Sequence, residues 1–146
     1  MLYYLNLKSG ALMYLEHANI TVASIDKAMA FLATAFPEFK IRGEGITETT
    51  RWLHFGNQQT YIALQQNHQI TTARDTTYQH NGINHLGFVV VDLAKIAHNL
   101  IKAGYQKDPN SSDEQYRKRA YFYDDNHVEW EFIEYLSDLE ELKNQY

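Results

Sequence analysis

The chain repeats itself. A shift of 68 residues carries His17 onto His85 and HANITVASIDKAMAFLATAF (17–36) onto HLGFVVVDLAKIAHNLIKAG (85–104). The same shift lays FGNQQTYIAL (55–64) on YDDNHVEWEF (123–132) without a gap. A fixed internal period constrains the fold more than any local signal, because two copies of one unit have to bury their apolar faces together. In each copy a histidine heads an apolar strand, a helix pattern follows, and a polar turn leads into a closing strand.

Each copy reads β-α-β-β-β. In the first, residues 14–23 are strand-like and Ser24 caps a helix over 24–35, with Asp26 complementing its dipole. Ile25, Met29 and Leu32 share the helix's apolar face, and Phe36-Pro37 ends it. Strands over 39–46 and 51–55 follow, and Gly56-Asn57 turns the chain into a strand at 60–66. The second copy predicts a strand at 83–91, Asp92 as cap, a helix over 93–103 and Gly104 just past its end. A weak strand near 105–107, a polar loop and strands at 117–123 and 128–135 complete it.

The predicted organisation is an N-terminal extension (1–13), one domain (14–135) and a C-terminal helix (136–146). The domain divides into module one (14–66), a linker (67–82) and module two (83–135). The polar linker is a connection or a loop over a site. The extension has no basic start and no cleavage site, so it reads as an extra edge strand, an interface arm or a start misassigned ahead of Met13.

Composition excludes several function classes. With 146 residues, 45% hydrophobic and 21% charged, the chain reads as an ordinary globular domain. A net charge of −5 leaves no basic footprint for nucleic acid. No apolar run approaches the roughly 20 residues that span a bilayer, so the expected compartment is the cytoplasm. The absence of cysteine rules out disulfides, thiolate metal sites and a thiol nucleophile.

Strand alternation sorts the side chains. His17, Asn19 and Thr21 share one face, as do Tyr61, Ala63 and Gln65, and Glu129, Glu131 and Ile133. Each sheet is therefore apolar toward its helix and polar-aromatic on the other side. Ala63 and Glu131 occupy equivalent places in the repeat. His17, His85 and Glu131 suggest a divalent-metal site built across a pseudo-twofold axis. Singly, either histidine also fits a hydrogen-bonded strand residue, but an inward Glu131 is costly to bury without a partner. Glu129 is the substitute ligand if the register slips. Gln65 or Gln66 offers a neutral oxygen at most. Tyr121 and Tyr123 read as cavity wall or acid, His54 as a base beside the ligands or a solvated strand residue. Arg117, Lys118 and Arg119 read as a solvated edge or a contact for an acidic substrate.

LEHANITV with its SIDKAMAFL helix, GINHLGFVV with the helix after it, and YFYDDNHVEWEFIE together resemble the vicinal oxygen chelate superfamily. That superfamily includes glyoxalase I, bleomycin-resistance proteins, fosfomycin-resistance enzymes and extradiol dioxygenases. The resemblance covers residues 14–135. It implies an α+β fold in which paired βαβββ modules form a cup of strands around one divalent ion. The ligand places it implies are His17, Ala63, His85 and Glu131, and a methyl group at 63 leaves His-His-Glu. That set looks like the one in extradiol dioxygenases, where Tyr121 also finds a counterpart near the substrate, and it leaves open positions on iron(II). The basic residues that follow the glutamate strand in the fosfomycin enzymes are absent from SDLEELKNQY, which sets that branch aside.

Three functions follow as expectations. The first is a metal-dependent dioxygenase or lyase acting on a small oxygen-chelating organic substrate, with Fe, Mn, Ni or Zn as cofactor and Tyr121 and His54 as candidate catalytic groups. The second is a metal-free drug-binding protein of the bleomycin-resistance type, and the third a degenerate interaction domain. A homodimer is expected, since each cup has edge strands to cover and twofold pairing is the commonest solution. Whether modules pair within or across chains stays open.

Overall fold

The computed structural model describes residues 14–70, 78 and 82–143. The N-terminal extension, most of the linker and the last three residues of the C-terminal helix expected from sequence lie outside these. Module one runs β1 (His17–Thr21), α1 (Ile25–Ala35), β2 (Lys40–Ile46), β3 (Thr50–Gly56) and β4 (Tyr61–Asn67). Module two runs β5 (His85–Val89), α2 (Leu93–Lys102), β6 (Arg117–Tyr123) and β7 (Glu129–Tyr135), and α3 (Glu140–Lys143) follows. The sheets are ordered β1-β4-β3-β2 and β5-β7-β6.

The predicted α+β architecture of two βαβββ-like modules is what forms. The repeat governs its hydrogen bonding. His17 lies opposite Tyr61 and Asn19 opposite Ala63 in the parallel β1–β4 pair; His85 lies opposite Glu129 and Gly87 opposite Glu131 in β5–β7. The side chain of Gln66 accepts from Ile25 N at 3.0 Å, and that of Glu134, its repeat mate, accepts from Leu93 N at 2.8 Å. Each closing strand thus satisfies an orphan amide at its own helix's first turn. Gln66 is committed there.

Three local readings change. The expected strand near 105–107 is reduced to a single bridge, Lys107 to Phe122. The core face of α1 is Ile25, Ala28, Phe31, Leu32 and Ala35; Met29 is only partly buried. The repeat also carries a one-residue gap. Ile62 and Trp130 correspond at the 68-residue shift, but their partners Phe55 and Phe122 do not, because the β6–β7 turn is one residue longer than the β3–β4 turn. His127 takes φ 61° inside that longer turn.

The helices unite the modules. Phe31 of α1 stacks on Trp130 at 5.9 Å and reaches Phe132 at 6.4 Å, both on β7. Phe36 and Phe39 meet Phe88 of β5, and Phe39 also meets Phe55 of β3. One aromatic core therefore lies against the apolar faces of both sheets, with Phe31, Leu32, Leu53, Leu64, Phe122, Trp130 and Phe132 fully enclosed. Burying each such side chain is worth about 1.5–3 kcal/mol. Asn126, in the β6–β7 turn, adds a polar clasp: its Oδ1 accepts from Ser24 N at 2.8 Å and its Nδ2 donates to Ser24 O at 3.0 Å. Since the apolar faces meet at the centre, the polar faces lie on the far sides of the core.

Candidate metal centre

On the polar face of module two, β5, β6 and β7 converge on two carboxylates. Glu129 and Glu131 are 5% and 7% exposed. Tyr121 lies opposite Glu131 in the β6–β7 ladder and donates to its Oε1 at 2.6 Å. Tyr123 lies opposite Glu129 and donates to Oε1 at 3.1 Å, while Tyr78 donates to Oε2 at 2.9 Å. His85 places Nε2 3.2 Å from Glu131 Oε2 and Nδ1 2.9 Å from the Tyr78 hydroxyl. Among the described residues no lysine or arginine pairs with either carboxylate; the cations nearby are used elsewhere. Arg117 and Arg119 both pair with Glu114, and Arg119 Nη1 donates to the Tyr121 hydroxyl at 3.5 Å. The solvated-edge reading of this basic run gives way to a buttress behind Tyr121.

The phenols are held in donor form. Burial first, then the bond to Glu131, pushes Tyr121 up from 10.0 to about 12. Burial and the bond to Glu129 do the same to Tyr123, up to about 12, and raise Tyr78 as well. At neutral pH all three are protonated and donate to the carboxylates.

This donor set fits a divalent cation. Among the described residues these two nearly enclosed carboxylates face phenols and one imidazole and no lysine or arginine, and buried charge is paired or metal-bound. Two ligands each about 2.0–2.2 Å from one ion stand about 3 Å apart at near-right angles, which is the spacing between His85 Nε2 and Glu131 Oε2. Both histidines also have Nδ1 engaged, as metal-bound imidazoles do. His85 uses Tyr78, and His17 uses Glu16 Oε2 at 3.0 Å.

His17 lies on the other polar face. Its ring stacks on Tyr61 at 4.7 Å, and Tyr61 in turn meets His54 at 4.8 Å and the Arg42 guanidinium at 4.3 Å. Ala63 is buried opposite His54. Among the described residues no group of three or more His, Asp or Glu side chains is placed to hold one ion. The structure thus brings His85 and Glu131 together and keeps His17, Ala63 and His54 on module one's face. Sequence reasoning missed Tyr78, because a lone aromatic residue in a polar linker carries no periodic signal. It paired neither His54 nor Tyr121 with its mate, because the one-residue gap hid that both stand opposite the ligand position of their module.

No curated protein matches the chain closely. Solved structures do. A glyoxylase/bleomycin resistance protein/dioxygenase domain from Frankia sp. EAN1pec superposes with a TM-score of 0.73 at 22% identity, over 86% of this chain and 99% of that one. A glyoxalase family protein from Bacillus cereus gives 0.70 at 15% identity, over 90% and 99%. A variant of the fosfomycin resistance protein FosX from Listeria monocytogenes, complexed with Mn(II) and 1S,2S-dihydroxypropylphosphonic acid, gives 0.68 at 18% identity, over 88% and 95%. At these identities the likeness is one of fold. No helix among the described residues is long and apolar enough to cross a membrane. Residues 14–132 match the family model of the Glyoxalase/Bleomycin resistance protein/Dioxygenase superfamily, and the chain belongs to that superfamily.

Proposed function

We propose that the protein is a cytoplasmic, metal-dependent enzyme acting on a small organic substrate that chelates the ion through adjacent oxygens. Its site forms between two copies, with His17 from one and His85 and Glu131 from the other. The observation that carries this reading is the pair of buried carboxylates on module two, faced by phenols and an imidazole and, among the described residues, by no lysine or arginine. The packing supports pairing across chains. The polar faces lie on far sides of one shared core, so a second copy is what brings a module-one face over a module-two face, covering edge strands β1 and β5 at the same time.

A divalent ion bound there supplies Lewis acidity to a chelated substrate. The protein's own groups do the rest. Tyr121 fixes Glu131 through one oxygen and leaves Oε2 toward His85. Tyr78 and Tyr123 occupy Glu129, which makes Glu129 a charge reserve beside the ligands. The methyl group of Ala63 cannot serve as a fourth ligand, so an ion held here would keep positions for substrate oxygens. Tyr121 is accordingly a positioning residue, and His54, opposite Ala63 in the β3–β4 ladder, is the candidate base. The mangano-complexed FosX supports a manganese-type ion on this fold. A metal-free binding protein remains the competing reading; it has no use for the paired imidazoles with Nδ1 engaged.

Mixing His17→Ala and His85→Ala proteins tests both parts. If the site spans two copies, each mixed dimer regains one of its two sites, and since random exchange at equal amounts makes about half of the dimers mixed, Mn(II) binding by calorimetry returns to about a quarter of the wild-type stoichiometry. A site within one chain gives no recovery. Wild-type protein that binds no divalent ion leaves the metal-free reading standing.

A further inference from the structure

Module one's polar face carries an unspent recognition surface. Strand β2 has an irregularity between Ile41, opposite Phe55, and Gly43, opposite His54. Arg42 is the extra residue of that bulge. Bulges re-aim a side chain, and they recur beside functional sites. Here Arg42 reaches across β3 and lays its guanidinium over Tyr61 at 4.3 Å. Tyr61 is thereby held between Arg42 on one flank and His17, from β1, on the other.

The surface beside this column is flat and unsaturated. Trp52 lies 5.0 Å from His54, and its indole rests over glycines: a Cβ on Gly45 would stand 2.6 Å from Nε1, and one on Gly43 3.6 Å from the ring. The strand gives up a side chain at Gly45 to seat the indole, while a Cβ at Gly43 would only touch it. The other arginines whose ion pairs are described are committed, Arg51 to Asp26 and Glu44, Arg117 and Arg119 to Glu114. Among the described residues no carboxylate pairs with Arg42 or Lys40. Both line an open groove of about 380 Å³ together with Glu38, Gly56, Asn57 and Gln58. A guanidinium stacked on a ring keeps its N–H edge free for bidentate capture of a carboxylate.

We propose that Arg42, with Tyr61, His54 and Trp52, seats an aryl carboxylate, so that the substrate is a flat, unsaturated organic acid. This rests on the reading that His17's face forms half of the active cup, and it adds the substrate class. The rings take the unsaturated surface and Arg42 takes the charge.

Trp52 reports on the site directly. It is half-buried beside His54, whereas the second tryptophan, Trp130, is fully enclosed. Benzoate titrated into the full-length protein is expected to quench Trp52 fluorescence saturably, and Trp52→Phe abolishes that response. Benzamide, of the same shape without charge, and acetate, charged without a ring, are each expected to bind about tenfold more weakly. Arg42→Gln should weaken benzoate about tenfold and leave benzamide unchanged, and Arg42→Lys should recover part of the loss. Equal binding of benzoate and benzamide overturns the proposal, as does Arg42→Gln without effect or no saturable quenching in the wild type. Mn(II) calorimetry on the same proteins separates the two readings. Arg42→Gln is expected to bind Mn(II) as the wild type does. Loss of Mn(II) binding in the wild type with intact benzoate selectivity sinks the metal reading and spares this one.

Discussion

The two modules share a register and divide the chemistry. His17 and His85 head equivalent strands, each parallel to the closing strand of its own module. Across the last hairpin, His54 stands opposite Ala63 where Tyr121 stands opposite Glu131. Module two has concentrated negative charge and the donors that restrain it. Module one has the histidine, an alanine at the place of the carboxylate, and a platform of rings with one arginine. The backbone repeat sets where side chains can stand; it leaves open which of the two faces holds charge and which offers surface.

Exchanging the unequal position tests that division most severely. Glu131→Ala makes module two resemble module one and should cut Mn(II) affinity more than about a hundredfold, beyond the loss typical of residues behind a ligand. Ala63→Glu makes module one resemble module two and should tighten Mn(II) by about tenfold while taking a position left for substrate. Calorimetry on both variants checks the pair. Tightening by Glu131→Ala, or no change, breaks the assignment of charge to module two.

A smaller effect is expected from Tyr121→Phe. It removes the 2.6 Å bond to Glu131 but keeps the ring. Metal affinity should fall about tenfold, and urea unfolding of the metal-free protein should lose about 1–3 kcal/mol through an undonated buried oxygen. His54→Phe, the mate in module one, should cost neither. A metal-affinity loss as large for His54→Phe would mean that the modules share the binding more evenly.

The smallest effect is in alkali. Tyr121 and Tyr123 are raised from 10.0 to about 12 in the fold, first by burial and then by their carboxylates. A folded value above the unfolded one means that the stability they contribute is fully present below pH 10 and is lost as pH rises through about 12. Phenolate absorbance should show these two ionising after the exposed tyrosines, and Tyr121→Phe should remove one late transition. Simultaneous ionisation of all tyrosines contradicts the donor network.

Much of this was legible before any coordinates. Ser24 and Asp92 accept from Lys27 N and Lys95 N as caps, Gly104 takes φ 98° past α2, and the alternation in β1, β4, β5 and β7 separates core from polar face. These are local properties: a cap, a left-handed glycine and a two-residue period each depend on a few neighbouring bonds. The repeat sets His17 with His85 and Ala63 with Glu131 at matching places because it preserves the β1–β4 and β5–β7 register. The sequence could not show that Phe31 would cross to Trp130, that one extra residue in a turn would bring Tyr121 rather than Phe122 opposite Glu131, or that Arg42 would be turned onto Tyr61 by a bulge. Each depends on how separate elements dock, and docking is set by which apolar faces fit together, where many sequences of one hydrophobic pattern are equivalent. The residues that hold charge were written in the chain; that the two polar faces look away from each other was decided by the aromatic core between them.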